Sequence, residues 1–560
     1  MRTTNKSGIS TFINTAVNCG MRHVVCSPGS RNAALVIAID EHPKLNAIVI
    51  HDERSAAFYA LGMAQQLKTP VGVVCTSGSA MLNYYPAVAE AFYQCIPLVI
   101  MTADRPAEWV NHGDGQTIVQ AGVYTNHIRY EGSVDEFVSG DEKDKLKEKI
   151  RGAFRLGNGA WKGPIHFNFP ISEPMYGSAD ANYSENEEVE ITSTVANFEL
   201  DDAFKELWRT SKKKMILCGQ MDANPALQSR LMELAKDSSI AVVVENTSNM
   251  QYKNFVHCID RTLSGIEKYE VEDFQPDLLI TIGGAIISKR IKNFLRDAGV
   301  KEHCKVGAEF PEMDTYRALT RSVEHPPIVF LNELLKFNEP KGDSRFGALW
   351  KQRDYKYELL TEKFVRSARY SDLTVFDTVL DCIPENSIIH MGNSSVVRYC
   401  QLFNPVRSMI YHSNRGTSGI DGSTSTACGA ALVTPNKCNV LITGDISFFY
   451  DSNALWSNHL PANLRIVLIN NGGGGIFKII DGPSSTAQFE KYFEAKHAHS
   501  AEHICKAFNV GYARAESIEQ VEFKVIDFFR EDEGQRPKLL EIFTPSETND
   551  KVLKEFFNLS

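Results

Sequence analysis

The stretches NVLITGD at 439–445 and LRIVLINNGGGG at 464–475 are the most informative part of this 560-residue chain. Each is an apolar run that ends in polar residues and glycine, and the gap between them has room for a helix. Asp445 and Asn471 lie 26 positions apart, each at the carboxyl end of a predicted strand. Because ligands bind at this edge of parallel α/β sheets, the pattern predicts such a sheet with a site at its carboxyl edge.

The side chains at that edge suit a metal and a diphosphate. Mg²⁺ usually takes one or two protein carboxylates and completes its shell with phosphate oxygens and water. Asp445 and the Asn471 amide oxygen are such hard donors, and Gly472–Gly475 let the backbone approach a diphosphate. A helix cap and an Asn-Gly turn would explain each motif in isolation. The two motifs at this spacing, each after a strand, favour a metal-diphosphate site.

The same alternation of apolar strands and helical patterns fills the rest of the chain. Strand patterns occur in HVVCSPGS, NAIVIHDE, VGVVCTSG, PLVIMTADRP, PIHFNFP, KMILCG, IAVVVEN, LLITIGG, SIIHMGNS, SMIYHSN and KLLEIFT. The polar stretch 177–199 is typical of a linker, and the loose stretch 337–345 ends a second block. We therefore predict an α/β protein of three domains, at 1–180, 190–340 and 350–560, with parallel sheets flanked by helices. The first and third can share a fold without shared sequence.

Composition limits the partners. The chain has 59 basic and 69 acidic residues, a net charge of −10, without a long run of one sign, which argues against nucleic acid and acidic membranes. No apolar run approaches the roughly 20 residues that span a bilayer, and the amino end lacks a signal-peptide core. The twelve cysteines form no CxxC pair. We expect a cytoplasmic protein without membrane insertion and with reduced core thiols.

Glu53 is a candidate acid-base residue in the first domain. In NAIVIHDERSAAFYALG it follows a strand and begins a helix of small residues. An apolar setting should raise the pKa of this carboxyl, which suits proton sharing. An acid that complements the helix dipole is the ordinary alternative. Together with the diphosphate motif, the position favours catalysis.

These motifs resemble one family. The GD and NN pair is similar to the thiamine-diphosphate motif, although its usual third residue, a glycine, is Ile446 here. Over nearly the whole chain the sequence resembles the 2-succinyl-5-enolpyruvyl-6-hydroxy-3-cyclohexene-1-carboxylate synthases. The blocks that carry the resemblance are SPGSRNAAL (27–35), HDERSAAFYALG (51–62), TSGSAMLNYYPAVAEA (76–91), TADRP (102–106), SKR (288–290), GNSSVVR (392–398), SNRGTSGIDGSTSTACG (413–429) and GGGIF (473–477).

The resemblance implies a fold, a reaction and an assembly. First and third domains would have the thiamine-diphosphate-binding fold. The enzyme would use thiamine diphosphate with Mg²⁺, or Mn²⁺, to decarboxylate 2-oxoglutarate and add the succinyl unit to isochorismate in menaquinone biosynthesis. It would be a homodimer or homotetramer with active sites at the subunit interfaces, since the Glu-bearing domain of one subunit faces the diphosphate domain of another.

The resemblance also assigns residues to the cofactor. Asp445, Asn471 and the Gly473 carbonyl would hold the metal, and Glu53 would protonate the aminopyrimidine ring. Ile420 would support the bent cofactor, and ordinary core packing is the alternative for it and for the two apolar residues after Gly475. The remaining cofactor contacts implied are Gly444, Ile446, Ser447, Ile476 and Phe477.

Basic residues would bind the two dicarboxylate substrates. Guanidinium groups bind carboxylates bidentately, whereas a surface charge is the alternative for any single one. Arg398 with Ser394 would hold the 2-oxoglutarate-derived adduct or the second substrate. The isochorismate side would have Arg31, Arg105, Gln116, Lys289, Arg290 and Arg415, and we expect all these basic residues in loops or at strand ends. Arg31, Ser394, Arg398 and Arg415, with Glu53, form the predicted catalytic set.

Two departures and two rival functions stay open. Gly115 replaces an amide residue before Gln116, where Asp114 is an alternative contact, and Gly475 replaces a polar residue before IF. An acetohydroxyacid synthase or a simple 2-oxo-acid decarboxylase would act on pyruvate, which has one carboxylate and needs fewer arginines. A non-catalytic relative would keep the fold alone, and retention of Glu53, Asp445 and Asn471 argues against it.

Overall fold

A computed structural model describes residues 2–180, 198–340, 342, 344–479, 482, 485–530 and 536–559. Three parallel sheets flanked by helices build the molecule, which confirms the predicted fold class. The strands are β1 Arg2–Thr4, β2 His23–Cys26, β3 Asn46–Val49, β4 Val71–Cys75, β5 Leu98–Asp104, β6 Tyr130–Ser133, β7 Ile165–Pro170, β8 Ser178–Asp180, β9 Lys214–Cys218, β10 Ile240–Val244, β11 Leu278–Ile282, β12 Glu302–Val306, β13 Leu319–Val323, β14 Ile388–Met391, β15 Ile410–His412, β16 Asn439–Gly444, β17 Leu464–Asn470, β18 Gly511–Ala515 and β19 Lys538–Phe543.

Helices connect most of these strands. They are α1 Ser7–Asn18, α2 Ala33–Asp40, α3 Glu53–Leu67, α4 Ala80–Tyr93, α5 Gly140–Asn158, α6 Asp202–Thr210, α7 Pro225–Leu234, α8 Ile259–Thr262, α9 Val271–Phe274, α10 Lys289–Asp297, α11 Pro327–Phe337, α12 Phe346–Val365, α13 Asp372–Cys382, α14 Ser395–Cys400, α15 Ser423–Val433, α16 Asp445–Tyr450, α17 Ile476–Ile479, α18 Glu502–Ala507, α19 Ile518–Phe529 and α20 Ser546–Phe557.

The first and third sheets have the same topology. Their strand orders are β3-β2-β4-β5-β7-β6 and β15-β14-β16-β17-β19-β18, with every neighbouring pair parallel. Numbered within each sheet, both orders are 2-1-3-4-6-5. The central strands β4, β5 and β17 are buried along their whole length, because helices cover both faces of a parallel sheet. The two segments thus share a fold, as the sequence analysis predicts.

The middle sheet has the order β10-β9-β11-β12-β13 and is also parallel. Helix α12 packs against this sheet, where Phe346 and the buried Trp350 join its core. This helix spans the predicted start of the third domain, and the three domain limits stay predictions.

The predicted linker at 177–199 begins with a strand. Ser178–Asp180 forms β8, which pairs antiparallel with β1 at the other end of the first domain. The polar sequence of this segment did not indicate a short exposed strand, because its pairing depends on a partner strand far away in the chain. Residues 181–197 of the predicted linker lie outside the described residues.

The first and third sheets share one hydrophobic core, and helices α3 and α15 cross within it. At the crossing the backbones are almost in contact: a Cβ on Gly62 would lie 2.0 Å from the Thr426 carbonyl oxygen. A Cβ on Gly429 would lie 2.1 Å from the Tyr59 carbonyl oxygen. The glycines therefore allow the closest approach between the two domains.

The structure also bears on the predictions about membrane spans and cysteines. Within the described ranges, no helix is both long and apolar enough to cross a membrane. All twelve cysteines are free thiols, and none is exposed. This agrees with the predicted reduced core thiols.

Candidate active site

Ten of the predicted site residues line one cavity of about 190 Å³ at the carboxyl edge of the third sheet. Helices α14, α16 and α17 all begin at residues that line it. Helix amino ends carry partial positive charge and unpaired N–H groups, which favours an anion such as a diphosphate. The ten residues are Ser394, Ile420, Gly444, Asp445, Ile446, Ser447, Asn471, Gly473, Ile476 and Phe477.

Asp445 is buried between the two halves of the quoted motif. Its Oδ2 accepts hydrogen bonds from the Gly472 N–H at 2.9 Å and the Gly473 N–H at 3.0 Å, and its Oδ1 accepts from the Ile446 N–H at 2.7 Å. The loop adopts positive φ at Gly472 and Gly473 (76° and 153°), which glycine tolerates. The run of glycines thus lets the loop fold back onto the Asp445 carboxylate.

Asn471 has its amide oriented by another acid. The Asn471 Nδ2 donates to Asp372 Oδ2 at 3.1 Å, while Thr544 donates to the other oxygen of Asp372. Burial raises the pKa of Asp372 to about 6. Within the described ranges, no hydrogen bond reaches the Asn471 Oδ1, so this oxygen is free to accept a ligand. One carboxylate, one amide oxygen and the Gly473 carbonyl are a hard-oxygen donor set that fits Mg²⁺.

The loop between Arg415 and Ile420 is clamped from the first domain. Glu90, on α4, is 1% exposed and accepts hydrogen bonds from the Gly416 and Thr417 N–H groups at 2.7 and 2.6 Å. Ser447 Oγ donates to the Ile420 carbonyl at 2.9 Å, which ties the loop to the cavity. Glu90 therefore fixes the segment that carries two predicted site residues.

The predicted basic residues of the second and third domains converge. Arg290 and Arg398 both interact with Asp260, and Arg398 and Arg415 are close enough to repel each other, which helps burial to lower the pKa of Arg415. Arg415 Nη1 donates to Asn393 Oδ1 at 2.9 Å. Arg415 also borders a larger cavity of about 440 Å³ between the three sheets.

The prediction that these basic residues lie in loops or at strand ends is wrong for three of them. Lys289 and Arg290 are the first two residues of α10, and Arg398 lies inside α14. Each helix follows a strand after a short loop, α10 after β11 and α14 after β14, so both begin on the carboxyl side of a sheet. Arg31, Arg105 and Arg415 are outside helices, as expected.

The first-domain residues lie at the edge of the first sheet. Arg31 Nη1 donates to the Ile171 carbonyl at 3.0 Å. Arg105 donates to the Gly115 carbonyl at 3.1 Å and lies 3.3 Å from the Asp114 carboxylate. Asp114 therefore pairs with Arg105, which the sequence had left open. Gln116 is exposed, with a φ of 56°.

Glu53 begins α3 and is half-buried. Burial raises its pKa, its own backbone N–H lowers it, and the neighbouring Asp52 raises it. Asp52 caps the helix by accepting from the Ser55 N–H at 2.9 Å. Asp52 therefore caps α3, and the Glu53 carboxyl, whose pKa burial raises, is not needed for that cap.

A single chain does not join the two halves. All described residues that line the Asp445 cavity belong to the third domain, and neither Glu53 nor Arg31 nor Arg105 is among them. Next to Glu53, the chain instead packs Arg54 onto Tyr450, at the other end of α16 from Asp445.

Several residues of the site escaped the sequence analysis. Glu90 lies in the quoted block 76–91, where a lone acid in an apolar helix was the available signal. Asp372 lies in no motif, and its contact with Asn471 joins positions 99 residues apart. Such contacts become visible only when the sheet is assembled.

Comparison with known proteins adds two family matches. Residues 7–123 match the thiamine pyrophosphate enzyme N-terminal TPP binding domain, and residues 390–542 match the C-terminal TPP binding domain. A Flavobacterium psychrophilum protein is 42% identical over 541 residues, covering 96% of both chains. Proteins of Christiangramia forsetii and Porphyromonas gingivalis are 42% and 37% identical, covering 96% and 99% of this chain and 96% and 97% of their own. All three are named 2-succinyl-5-enolpyruvyl-6-hydroxy-3-cyclohexene-1-carboxylate synthase.

Proposed function

We propose that this chain, which belongs to the 2-succinyl-5-enolpyruvyl-6-hydroxy-3-cyclohexene-1-carboxylate synthase family, is a thiamine-diphosphate-dependent synthase of menaquinone biosynthesis. It converts 2-oxoglutarate and isochorismate into 2-succinyl-5-enolpyruvyl-6-hydroxy-3-cyclohexene-1-carboxylate and CO₂. The observation that carries the proposal is the single cavity lined by the ten predicted residues, with the basic cluster beside it.

The cofactor fits this cavity by its chemistry. Thiamine diphosphate, when bound, supplies the carbanion chemistry for decarboxylation and carbon–carbon bond formation. The amino ends of α14, α16 and α17 and the glycine loop of 472–475 would hold its diphosphate. Asp445, the Asn471 Oδ1 and the Gly473 carbonyl would hold Mg²⁺ or Mn²⁺. Within the described residues no group of three or more His, Cys, Asp or Glu could bind a metal, so the proposed site depends on this mixed set of oxygens.

Glu53 is the proton donor of the proposal. Its raised pKa means that the carboxyl holds a proton at a higher pH than an ordinary Glu, so it can share that proton with a ring nitrogen.

The basic residues orient the substrates. Arg398 and Ser394 bind the carboxylate of 2-oxoglutarate, and Arg31, Arg105, Gln116, Lys289, Arg290 and Arg415 form the isochorismate side. Guanidinium groups suit this task because they remain charged and offer paired donors. The two substrates bring four carboxylates in all, which is why a pyruvate enzyme would need fewer such groups.

The complete site needs two subunits. Glu53 of one chain acts on the cofactor held by the Asp445 cavity of another, so the active protein is a homodimer or homotetramer. The proposal is supported by the absence of first-domain residues from the described lining of that cavity. A site shared between two subunits would also explain why Glu53 follows a strand of the first sheet while Asp445 follows a strand of the third sheet.

A CO₂-release assay with a panel of 2-oxo acids tests the function. We expect release from 2-oxoglutarate, dependent on thiamine diphosphate and Mg²⁺, to exceed release from pyruvate. Preference for pyruvate would support a decarboxylase or acetohydroxyacid synthase instead. Cofactor binding without release from any 2-oxo acid, with or without isochorismate, would support a non-catalytic relative.

A further inference from the structure

Two carboxylates outside the predicted site hold the start of α10. Glu245 follows β10 and is 2% exposed. Its Oε2 accepts from the Ile287 N–H and its Oε1 from the Ser288 N–H, both at 2.7 Å. Asp260, on α8, accepts a short hydrogen bond from the Ser288 hydroxyl. The backbone and side chain of Ser288 are thus fixed by two different elements.

Ser288 in turn begins the helix. Its Oγ accepts from the Ile291 N–H at 3.1 Å, which makes Ser288 the N-cap of α10. The next residues are Lys289 and Arg290, and Lys292 follows on the adjoining side of the first turn. The orientation of three cations therefore depends on the bonds that Glu245 and Asp260 make to Ser288.

Lys292 is a cation to which no function has been assigned so far. Burial lowers its pKa; Glu245 opposes this effect, while Arg415, Arg296 and Arg398 add to it. It borders the same cavity of about 440 Å³ as Arg415. An amine that is partly buried among other cations favours the binding of an anion.

The positive charges of Arg290, Lys292, Arg398 and Arg415 are not neutralised by ion pairs among the described residues. Over the ranges that the structure describes, none of Arg290, Lys292, Arg398 and Arg415 has a carboxylate oxygen within 4.0 Å in an ion pair. Glu245 and Asp260 accept hydrogen bonds from Ile287 and Ser288 at the start of α10. Their electrostatic interaction with the cations is of longer range. Burial also raises the pKa of both acids, so the positive charge of these cations is available to an anionic ligand.

We propose that Lys292 is a further binding residue for the ring dicarboxylate and that Glu245 and Asp260 are positioning residues, which hold Ser288 so that the first turn of α10 presents Lys289 and Lys292, three positions apart on one face, to it. The inference rests on the proposed function. It assigns Lys292 to the ring substrate because Lys292 borders the same cavity as Arg415, which the proposed function places on the isochorismate side.

The test is a binding titration of isochorismate, and separately of 2-oxoglutarate, to the thiamine-diphosphate-loaded protein, together with KM and kcat. We expect Lys292→Met to weaken isochorismate binding about tenfold, the effect of one charge-assisted contact, and to change 2-oxoglutarate binding less than twofold. Glu245→Gln and Asp260→Asn should raise the KM for isochorismate with kcat retained. The matched controls are Lys336→Met and Glu233→Gln, both exposed on other helices of the domain.

Each possible result of these measurements either supports or overturns the proposal. Equal isochorismate affinity in wild type and Lys292→Met would overturn the binding assignment, and a loss confined to 2-oxoglutarate would do the same. Variants of Glu245 and Asp260 that lower only the unfolding temperature, with KM unchanged, would make both acids purely structural. If wild type binds and turns over neither substrate, the proposed function itself fails, which differs from a wild type that works and variants that match it.

Discussion

Among the titratable residues, Glu53 stands out because burial raises its pKa while its helix already has Asp52 as a cap. Because the Glu53 carboxyl is not needed to cap the helix, it is available for proton transfer. Its place at the first position of α3 was predictable from HDERSAAFYALG, since a strand followed by a small-residue helix fixes that junction. Its pKa was predictable in direction for the same reason. The orientation of Asn471 by Asp372 was not, because that contact joins distant parts of the chain.

Replacement of Glu53 by Gln should remove the shared proton and leave the helix intact. We expect CO₂ release to fall by about 10²–10⁴-fold, the usual contribution of general acid-base catalysis, with thiamine diphosphate affinity nearly unchanged. Single-turnover CO₂ release and a cofactor titration measure the two quantities. Glu41→Gln, at an exposed position, is the control. Full activity of Glu53→Gln would remove this residue from the mechanism.

Asp451 should give the protein a measurable pH dependence. Burial raises its pKa to about 7, against the hydrogen bonds from Ser425 and the charge of Arg54, while Asp421 adds to the rise. The folded state then binds a proton that the unfolded state has lost, so this contribution to stability is lost as pH rises from about 4 to about 7. The change approaches about 1.4 kcal/mol per pH unit at most.

Replacement of Asp451 by Asn should remove that dependence. Free energies of unfolding from denaturant titrations between pH 5 and pH 8 should vary less in the variant than in wild type. Asp144→Asn, on an exposed pair in α5, should follow wild type. Identical pH profiles for all three proteins would show that Asp451 is ionised throughout.

At the scale of elements, the crossing of α3 and α15 joins the first and third domains. The α/β alternation and most buried strands were predictable, because apolar runs such as VGVVC and LRIVLIN leave no alternative to a covered sheet. The edge strands β6 and β18 were not predicted. Their sequences, YEGS and GYARA, contain glycine and polar residues, since one side of an edge strand has no partner. The helical positions of Lys289 and Arg398 were missed because α10 and α14 are short.

Alanine at the crossing should separate the helices. At Gly62 or Gly429 the new Cβ meets a backbone carbonyl at 2.0–2.1 Å, which no rotamer change can relieve. We expect each variant to lose about 1–3 kcal/mol of stability by overpacking. Thermal and denaturant unfolding report the loss.

A matched glycine gives the control for this prediction. Gly152 lies inside α5, and a Cβ there would meet nothing within 4 Å. Gly152→Ala should therefore be neutral or stabilise by about 0.5–1 kcal/mol. Equal destabilisation by all three alanines would show that helix conformation, and not the crossing, sets the effect.

At the scale of the whole molecule, the first and third sheets have equal topology but carry different residues at their carboxyl edges, Glu53 at one and Asp445 at the other. Their common 2-1-3-4-6-5 order was anticipated only as a possibility, because the two segments share no visible repeat. The family was evident from the motif blocks, whereas the middle domain gave little signal outside SKR. Its acids at Glu245 and Asp260 emerge only from the contacts of the folded chain.

Co-expression of two inactive variants tests the shared site. Glu53→Gln keeps the Asp445 cavity, and Asp445→Asn keeps Glu53. If each site takes one half from each subunit, half of random dimers are mixed and one of their two sites is intact, which gives about a quarter of wild-type activity. The co-expressed mixture should show this quarter, and the purified mixed dimer, with one intact site of two, should show about half of wild-type activity. Absence of any recovery would place both residues in a site within one chain.

The most direct test of the central claim follows both substrates in one reaction. Isochorismate consumption and CO₂ release from 2-oxoglutarate should be recorded together, with and without thiamine diphosphate. We expect equal amounts of isochorismate consumed and CO₂ released, complete dependence on the cofactor, and one product that contains the succinyl unit and the ring. CO₂ release with no loss of isochorismate, or loss of isochorismate with no CO₂, would contradict it.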